Sequence, residues 1–353
     1  MERRVIVAAL LATVLVLAAA PAASAAESSV RVQGAGQQVL ARTTVNEEAS
    51  GGTIADTDGT VFQTESATAL GATALALRLD GVPWDMGVGS YGAFVNSIDG
   101  LASDPADYSN WWALAVNGYM SPVGAGGMQT MDGDSYVWFQ NPDSTFSKGA
   151  TLLVVSPSGG TARRGFTSGS AVKLTVVGDD LSMVNSAADA TRFSCSDIES
   201  PAEFPIVAGT SVHVGERVYA DVDSTIAITD LAPGTYGVWA EKAMDGTSVY
   251  VRSETTLINV GSKPSIRSLS ASRTGTRTVR VRYSLSKSSK STIVVTKGSR
   301  QLAKYQRTQA SGLQTVTVRI GSGIFLRSSL KITVTARDAW GRLAAKSAVA
   351  KGR

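Results

Sequence analysis

The chain has 353 residues, a formal net charge of +4, 35 glycines, one cysteine and one histidine. A single cysteine excludes an intramolecular disulfide framework, so stability has to come from packed secondary structure. One His and one Cys cannot supply an ordinary zinc site, and no nucleophile motif such as G-x-S-x-G accompanies the lone His213.

Arg3 and Arg4 precede a run from Val5 to Ala20 that is apolar except for Thr13, followed by Pro21 and Ala23-Ser24-Ala25. A charged start, a short Ala-rich apolar core and an A-x-A site predict a secretory signal peptide over 1–25, with an uncleaved N-terminal anchor as the alternative. No later stretch approaches the roughly 20 apolar residues of a spanning helix. Residues 26–148 then read as a small α+β domain. Ser28 to Gly34 alternates as a strand. Leu70, Ala74 and Leu77 recur at helical spacing, with Thr64 or Ser66 as N-cap and Gly81 as stop. Asn117-Gly118 after "WWALAV" is a hairpin signal of the type that needs positive φ at both central residues. Gly133 to Gln140 alternates as a further strand.

Strand alternation separates the adjacent tryptophans. Trp112 falls with Leu114 and Val116 and is expected to pack on the Leu70/Leu77 face of the helix. Trp111 falls with Ala113 and Ala115, a shallow floor on which a flat ring or a partner's apolar group could stack. Cover by residues 102–109 or by the following domain is the competing expectation for Trp111.

Short strands between turn signals over 149–262 ("TLLVVS", "AVKLTVVG", "ITDLAPGTYGVWAEK") predict an antiparallel β-sandwich. A second, basic sandwich is expected over 263–353 from "TRTVRVRYSLS", "KSTIVVTKG", "LQTVTVRIG" and "SLKITVTARDAWGR". Charge divides at the same point. Residues 27–262 carry 11 Lys and Arg against 27 acids, whereas 263–353 carry 20 Lys and Arg against one acid, Asp338. Such an excess suits an anionic surface, cell-wall polymer or membrane headgroup, and Arg280 and Arg282 at alternate strand positions are the candidate attachment residues. Nucleic acid would bind by the same counterion release, but an exported protein is not expected to meet it.

His213 lies inside an apparent strand, "TSVHVGE", and reads as structural. Cys195 reads as a buried, inert thiol. Asp56 and Asp58 in "ADTDGT" suit either a calcium loop or an ordinary Asp-Gly turn; Asp132 and Asp134 in "MDGDSY" suit a turn entering a strand. Glycoside hydrolysis needs only two carboxylates and is the enzymatic alternative to a non-enzymatic protein.

Tyr91-Gly92, Ile98-Asp99-Gly100, Trp111-Trp112 to Asn117-Gly118, Gly124-Ala125 and Asp132-Gly133-Asp134 before Trp138 follow one another in an order that resembles the transcobalamin-like C-terminal domain. The resemblance covers roughly Ser28 to Asn141. It implies a β-grasp-like fold with Trp111, Tyr91, Tyr119 and Trp138 in a ligand-binding patch, and it admits cobalamin as a cofactor although the residues themselves imply none. Nothing in this chain repeats the helical pairs of the barrel that completes the vitamin carriers' site. The two later regions loosely resemble bacterial Ig-like modules. Together these readings predict a mainly β, multidomain protein: a small α+β (β-grasp-like) domain followed by two antiparallel β-sandwich domains. Its expected role is secreted or cell-surface binding or adhesion, without metal or catalytic residues, toward an unknown small molecule or protein. Corrinoid binding and carbohydrate-active catalysis are the alternatives.

Overall fold

The computed structural model describes residues 25–48, 50–90, 92–104, 109–121, 124–145, 148–183, 204–321 and 328–351. Tyr91, Cys195 and all but Ala25 of the expected signal segment lie outside these. The fold is mainly β and multidomain, with one helix among the described residues. Two compact units emerge. One takes the described parts of Met1–Leu152, Asp179–Glu203 and Ala243–Arg252; the other takes those of Leu153–Gly178, Phe204–Lys242 and Ser253–Arg353.

In the first unit, β1 (Ala26–Gly34) and β2 (Gln37–Glu47) form a hairpin, and β3 (Gly52–Ala55) pairs with β4 (Val61–Thr64). Next come α1 (Ala69–Asp80), β5 (Trp84–Gly89), β6 (Gly92–Ile98) and β7 (Leu101–Ala102), then β8 (Trp111–Val116), β9 (Tyr119–Met120) and β10 (Asp134–Asn141). The order β2-β1-β10-β8 places β1 and β10 side by side and parallel at the centre, with α1 across one face. A helix packed on one face of a mixed sheet agrees with the small α+β domain read from the sequence. Asn117 and Gly118 have φ of 52° and 84°, so the Asn-Gly turn has the positive φ at both centres inferred from the sequence.

The helix starts later than expected. Its N-cap is Thr68, whose Oγ1 accepts from Gly71 N at 3.2 Å, because Thr64 is still in β4. The first turn has no acidic residue of its own. Glu47 at the end of β2 supplies one instead, accepting the Thr68 N–H at 2.9 Å, where a carboxylate complements the helix dipole. Leu70 and Leu77 are fully buried, and they form one core with Trp112, Leu114, Val116, Tyr136 and Trp138.

β11 (Gly149–Ser158), β12 (Gly165–Thr167), β13 (Val172–Met183), β14 (Thr210–Val214), β15 (Arg217–Val222) and β16 (Thr225–Ile228) follow, then β17 (Gly234–Glu241), β18 (Ser248–Val251) and β19 (Thr256–Gly261). The stretch 149–262 contributes to both units. Its residues 149–152, 179–183 and 248–251 extend the first unit's sheet as β18-β11-β13-β9. In the second unit β12, β19, β17, β14 and β15 form a five-stranded sheet.

The remaining strands are β20 (Ile266–Gly275), β21 (Thr278–Leu285), β22 (Ser289–Lys297), β23 (Arg300–Gln309), β24 (Gly312–Arg319), β25 (Leu330–Arg337) and β26 (Leu343–Ala350). Sheets β20-β21-β24 and β23-β22-β25-β26 enclose a single core, Ile266 to Ala350, in which Val279, Val281, Tyr283, Ile293 and Val295 alternate inward. The basic sandwich read from the sequence is therefore present.

Candidate functional site

The β8 register separates the two tryptophans onto opposite sheet faces. Trp112 pairs with Gln140 and Trp111 with Asn141, while Leu114 pairs with Trp138. Trp112 is buried in the helix-side core, and its indole N–H donates to Leu101 O at 2.9 Å. Trp111 is half-buried and donates to Asp143 O at 3.3 Å. The shallow alanine floor expected beside Trp111 is not open. Ala113 and Ala115 are buried with Val137, Phe139, Ala150, Leu181 and Val251, because the strands that follow cover that face. Only Trp111, at the start of β8, keeps part of its surface.

That surface faces a cavity of about 1340 Å³ within the first unit. Trp111, Trp112, Leu114 and Trp138 contribute apolar wall. Polar wall comes from two groups. On one side Asn96 Nδ2 donates to Asp85 Oδ2 at 2.9 Å. On the other, Thr151 Oγ1 donates to Asp180 Oδ1 at 2.7 Å and lies 2.8 Å from Ser248 Oγ. Tyr250 also lines it and donates to Asp245, whose carboxyl is held well below the usual carboxylate range by the Thr247 N–H, the Tyr250 hydroxyl and the Ser248 N–H. Both indole N–H groups being satisfied by backbone, the tryptophans offer ring surface, and the hydroxyl, amide and carboxylate groups offer hydrogen bonds. Such a wall suits a ligand with a flat apolar side and a polar periphery.

The expected patch is thus partly assembled. Trp111 and Trp138 line the same cavity, but Trp138 does not share Trp111's face: it points with Leu114 toward the helix, its N–H 2.8 Å from Thr73 Oγ1. Tyr119 is half-buried opposite Val116 and does not line the cavity, whereas its neighbour Met120 does. Tyr91 lies outside the described residues. Asp85, Asn96, Thr151, Asp180 and Ser248 had no sequence signal, because they come from strands of two sheets that meet only in the folded unit.

Elsewhere the turn residues are accounted for. Asp56 Oδ1 accepts from Asp58 N and Thr60 N, and Oδ2 from Met86 N. Burial works to raise the Asp56 carboxyl, yet these backbone donors together hold it below its ordinary value. Asp134 accepts from Asn117 Nδ2 and Met131 N. Among the described residues no three His, Cys, Asp or Glu side chains gather as metal ligands. His213 lies in β14 of the second unit, stacked 3.5 Å from Trp239, with Nε2 2.9 Å from Glu241 Oε1. Arg280 and Arg282 are exposed on one face of β21.

Residues 71–141 match the family model described as "Domain of unknown function (DUF4430)". A search of the curated proteins found no match. Among solved structures, a "putative metal binding protein from Ruminococcus gnavus" is 18% identical over 33% of this chain and 97% of its own, with a TM-score of 0.22. The FN1–FN3 domains of chicken CNTN1 are 10% identical over 94% of this chain and 100% of theirs, TM-score 0.29. A structure concerning host cell surface retention of a 1.5-MDa bacterial ice-binding adhesin is 12% identical over 93% of this chain and 98% of its own, TM-score 0.26.

Proposed function

We propose that the chain is a secreted, non-enzymatic binding protein of adhesion type. On this reading the cavity in the first unit captures a ligand, and the basic sandwich of residues 263–351 attaches the protein to an anionic surface. The observation that carries it is the Trp111–Trp112 wall: two indoles fixed by backbone hydrogen bonds, Trp111 partly exposed, beside a set of hydroxyl, amide and carboxylate groups. The motif order from Tyr91-Gly92 to Trp138 supports a small-molecule ligand, with corrinoids as the first chemical class to test. Attachment is supported by charge. Asp338, the one acid of residues 263–353, is buried, so the described surface of that stretch bears cations without compensating carboxylates.

The test is a tryptophan-fluorescence titration of the wild-type chain and Trp111→Ala with corrinoids and a saccharide panel, alongside a hydrolysis screen. A saturable change in the wild type that Trp111→Ala loses while keeping its far-UV spectrum is expected. Hydrolysis abolished by Asp180→Asn or Asp85→Asn would overturn the non-enzymatic reading in favour of paired-carboxylate chemistry.

A further inference from the structure

The outer face of the β20-β21-β24 sheet carries a regular line of charge. On β21 the odd positions Val279, Val281, Tyr283 and Leu285 are buried, so Thr278, Arg280, Arg282 and Ser284 point outward. Directly opposite residues of an antiparallel pair share a face. Arg267 of β20 is opposite Ser284, and Arg319 of β24 is opposite Thr278, and both are exposed. Arg267, Arg282, Arg280 and Arg319 therefore occupy four successive outward levels, crossing the sheet diagonally from one edge strand to the other. Each level is two residues on, about 6.8 Å, and the outer members step sideways by one strand, about 4.8 Å. The row spans roughly 20 Å. Exposed Ser270 and Thr315 flank Arg282, and Ser272 and Thr317 flank Arg280. None of the four guanidiniums forms an ion pair among the described residues, and the only acid of the sandwich, Asp338, is buried on Arg342 and Lys287.

We infer that this row is the attachment site itself, and that its ligand is a linear polyol-phosphate polymer, a flexible chain of phosphodiesters without bases. The inference rests on the attachment reading above and narrows it to one face and one chemistry. Guanidinium forks match phosphate oxygens in pairs, and the flanking hydroxyls add donors to the same oxygens. An even step between cations favours an evenly charged chain laid along them. A lipid surface would instead meet every cation turned toward it, and this face offers one large exposed apolar side chain, Leu313, for insertion.

Full-length wild type, Arg280→Ser/Arg282→Ser and the charge-matched control Lys304→Ser/Lys346→Ser would be titrated with poly(glycerol phosphate) and with vesicles of mixed neutral and anionic phospholipid over a range of salt. Lys304 and Lys346 are exposed on the other sheet of the sandwich. The row variant should lose about tenfold or more in affinity for the polymer, and its log K against log salt slope should flatten by about 0.7 for each guanidinium removed. The control should lose less than about threefold, a residual long-range charge effect. Equal losses in the two variants, or vesicle binding that depends on the row as strongly as polymer binding does, overturn the inference while leaving attachment intact. No binding of wild type to either probe at low salt overturns the attachment reading itself.

Discussion

Trp112 fills the helix-side core with its indole N–H satisfied, so truncation leaves both a large void and an orphaned Leu101 contact. Trp112→Ala should cost about 3–5 kcal/mol. Trp111 is only partly exposed and packs against the Ala113/Phe139/Leu181 cluster, so Trp111→Ala should cost roughly half as much. Urea midpoints for the two variants check this, and a Trp111 loss equal to that of Trp112 would make it simply core. Glu47 is the second telling residue. Burial pushes its carboxyl above the ordinary 4.5, more than the Thr68 N–H and the Thr130 hydroxyl pull it down. A raised acid binds its proton more tightly when folded, so stability falls as pH rises from 4.5 through the folded value and recovers on acidification. Glu47→Gln keeps an oxygen for the Thr68 N–H and should flatten that part of the stability–pH curve. An unchanged curve counts against the assignment. Gly71 belongs to the same site, since a Cβ there would lie 1.8 Å from Glu47 Oε1.

Between elements, the turn joining β25 to β26 is tied to distant strands of its own unit. Asp338 Oδ2 accepts from Arg342 Nε at 2.8 Å and Lys287 Nζ at 3.1 Å, while Arg342 reaches Phe166 O in β12 at 3.0 Å and Asn259 Oδ1 in β19 at 2.8 Å. Thr161 Oγ1 donates to Trp340 O, and a Cβ on Gly165 would lie 2.4 Å from that oxygen, which fixes how closely the two backbones approach. Burial works against the Asp338 charge, but Arg342 and Lys287 together hold it below its ordinary 3.8. Its contribution is therefore present above that value and lost as pH falls below it. Arg342→Met removes one member of a buried pair and should cost about 3–5 kcal/mol. The acid limb of its stability profile should also flatten, since without Arg342 the Asp338 carboxyl is held less far below 3.8 and loses less stability on acidification. Thermal unfolding across pH measures both, and a loss under about 1 kcal/mol would show the network to be dispensable.

At the scale of the whole chain, a net charge of +4 understates the field. Residues 263–353 carry 20 Lys and Arg against one acid, which is internal, while residues 27–262 carry 11 against 27. The protein should bind a sulfonate resin at neutral pH far more strongly than a protein of evenly spread charge +4, with retention falling steeply with salt. Early elution at low salt would mean that the acidic residues of the rest of the chain screen the cations.

Period and turn chemistry are local, and they sufficed for β1, α1, β8 and β10, for the Asn117-Gly118 turn and for β21, β22, β24 and β25 of the basic sandwich, while β20, β23 and β26 were not read. Alternation alone separated Trp111 from Trp112 and set Arg280 with Arg282. The N-cap escaped, since Thr64, Ser66 and Thr68 are chemically equivalent and only the end of β4 and the reach of Glu47 choose among them. The cavity escaped for a deeper reason. Thr151, Asp180 and Ser248 stand far apart in sequence and meet through the order of one sheet, and Asn96 comes from a second sheet; both are decided by which faces the unit can bury. The same burial closed the alanine floor beside Trp111, and pairing across β20, β21 and β24 aligned Arg267 and Arg319 with the two arginines that the strand period had already brought together.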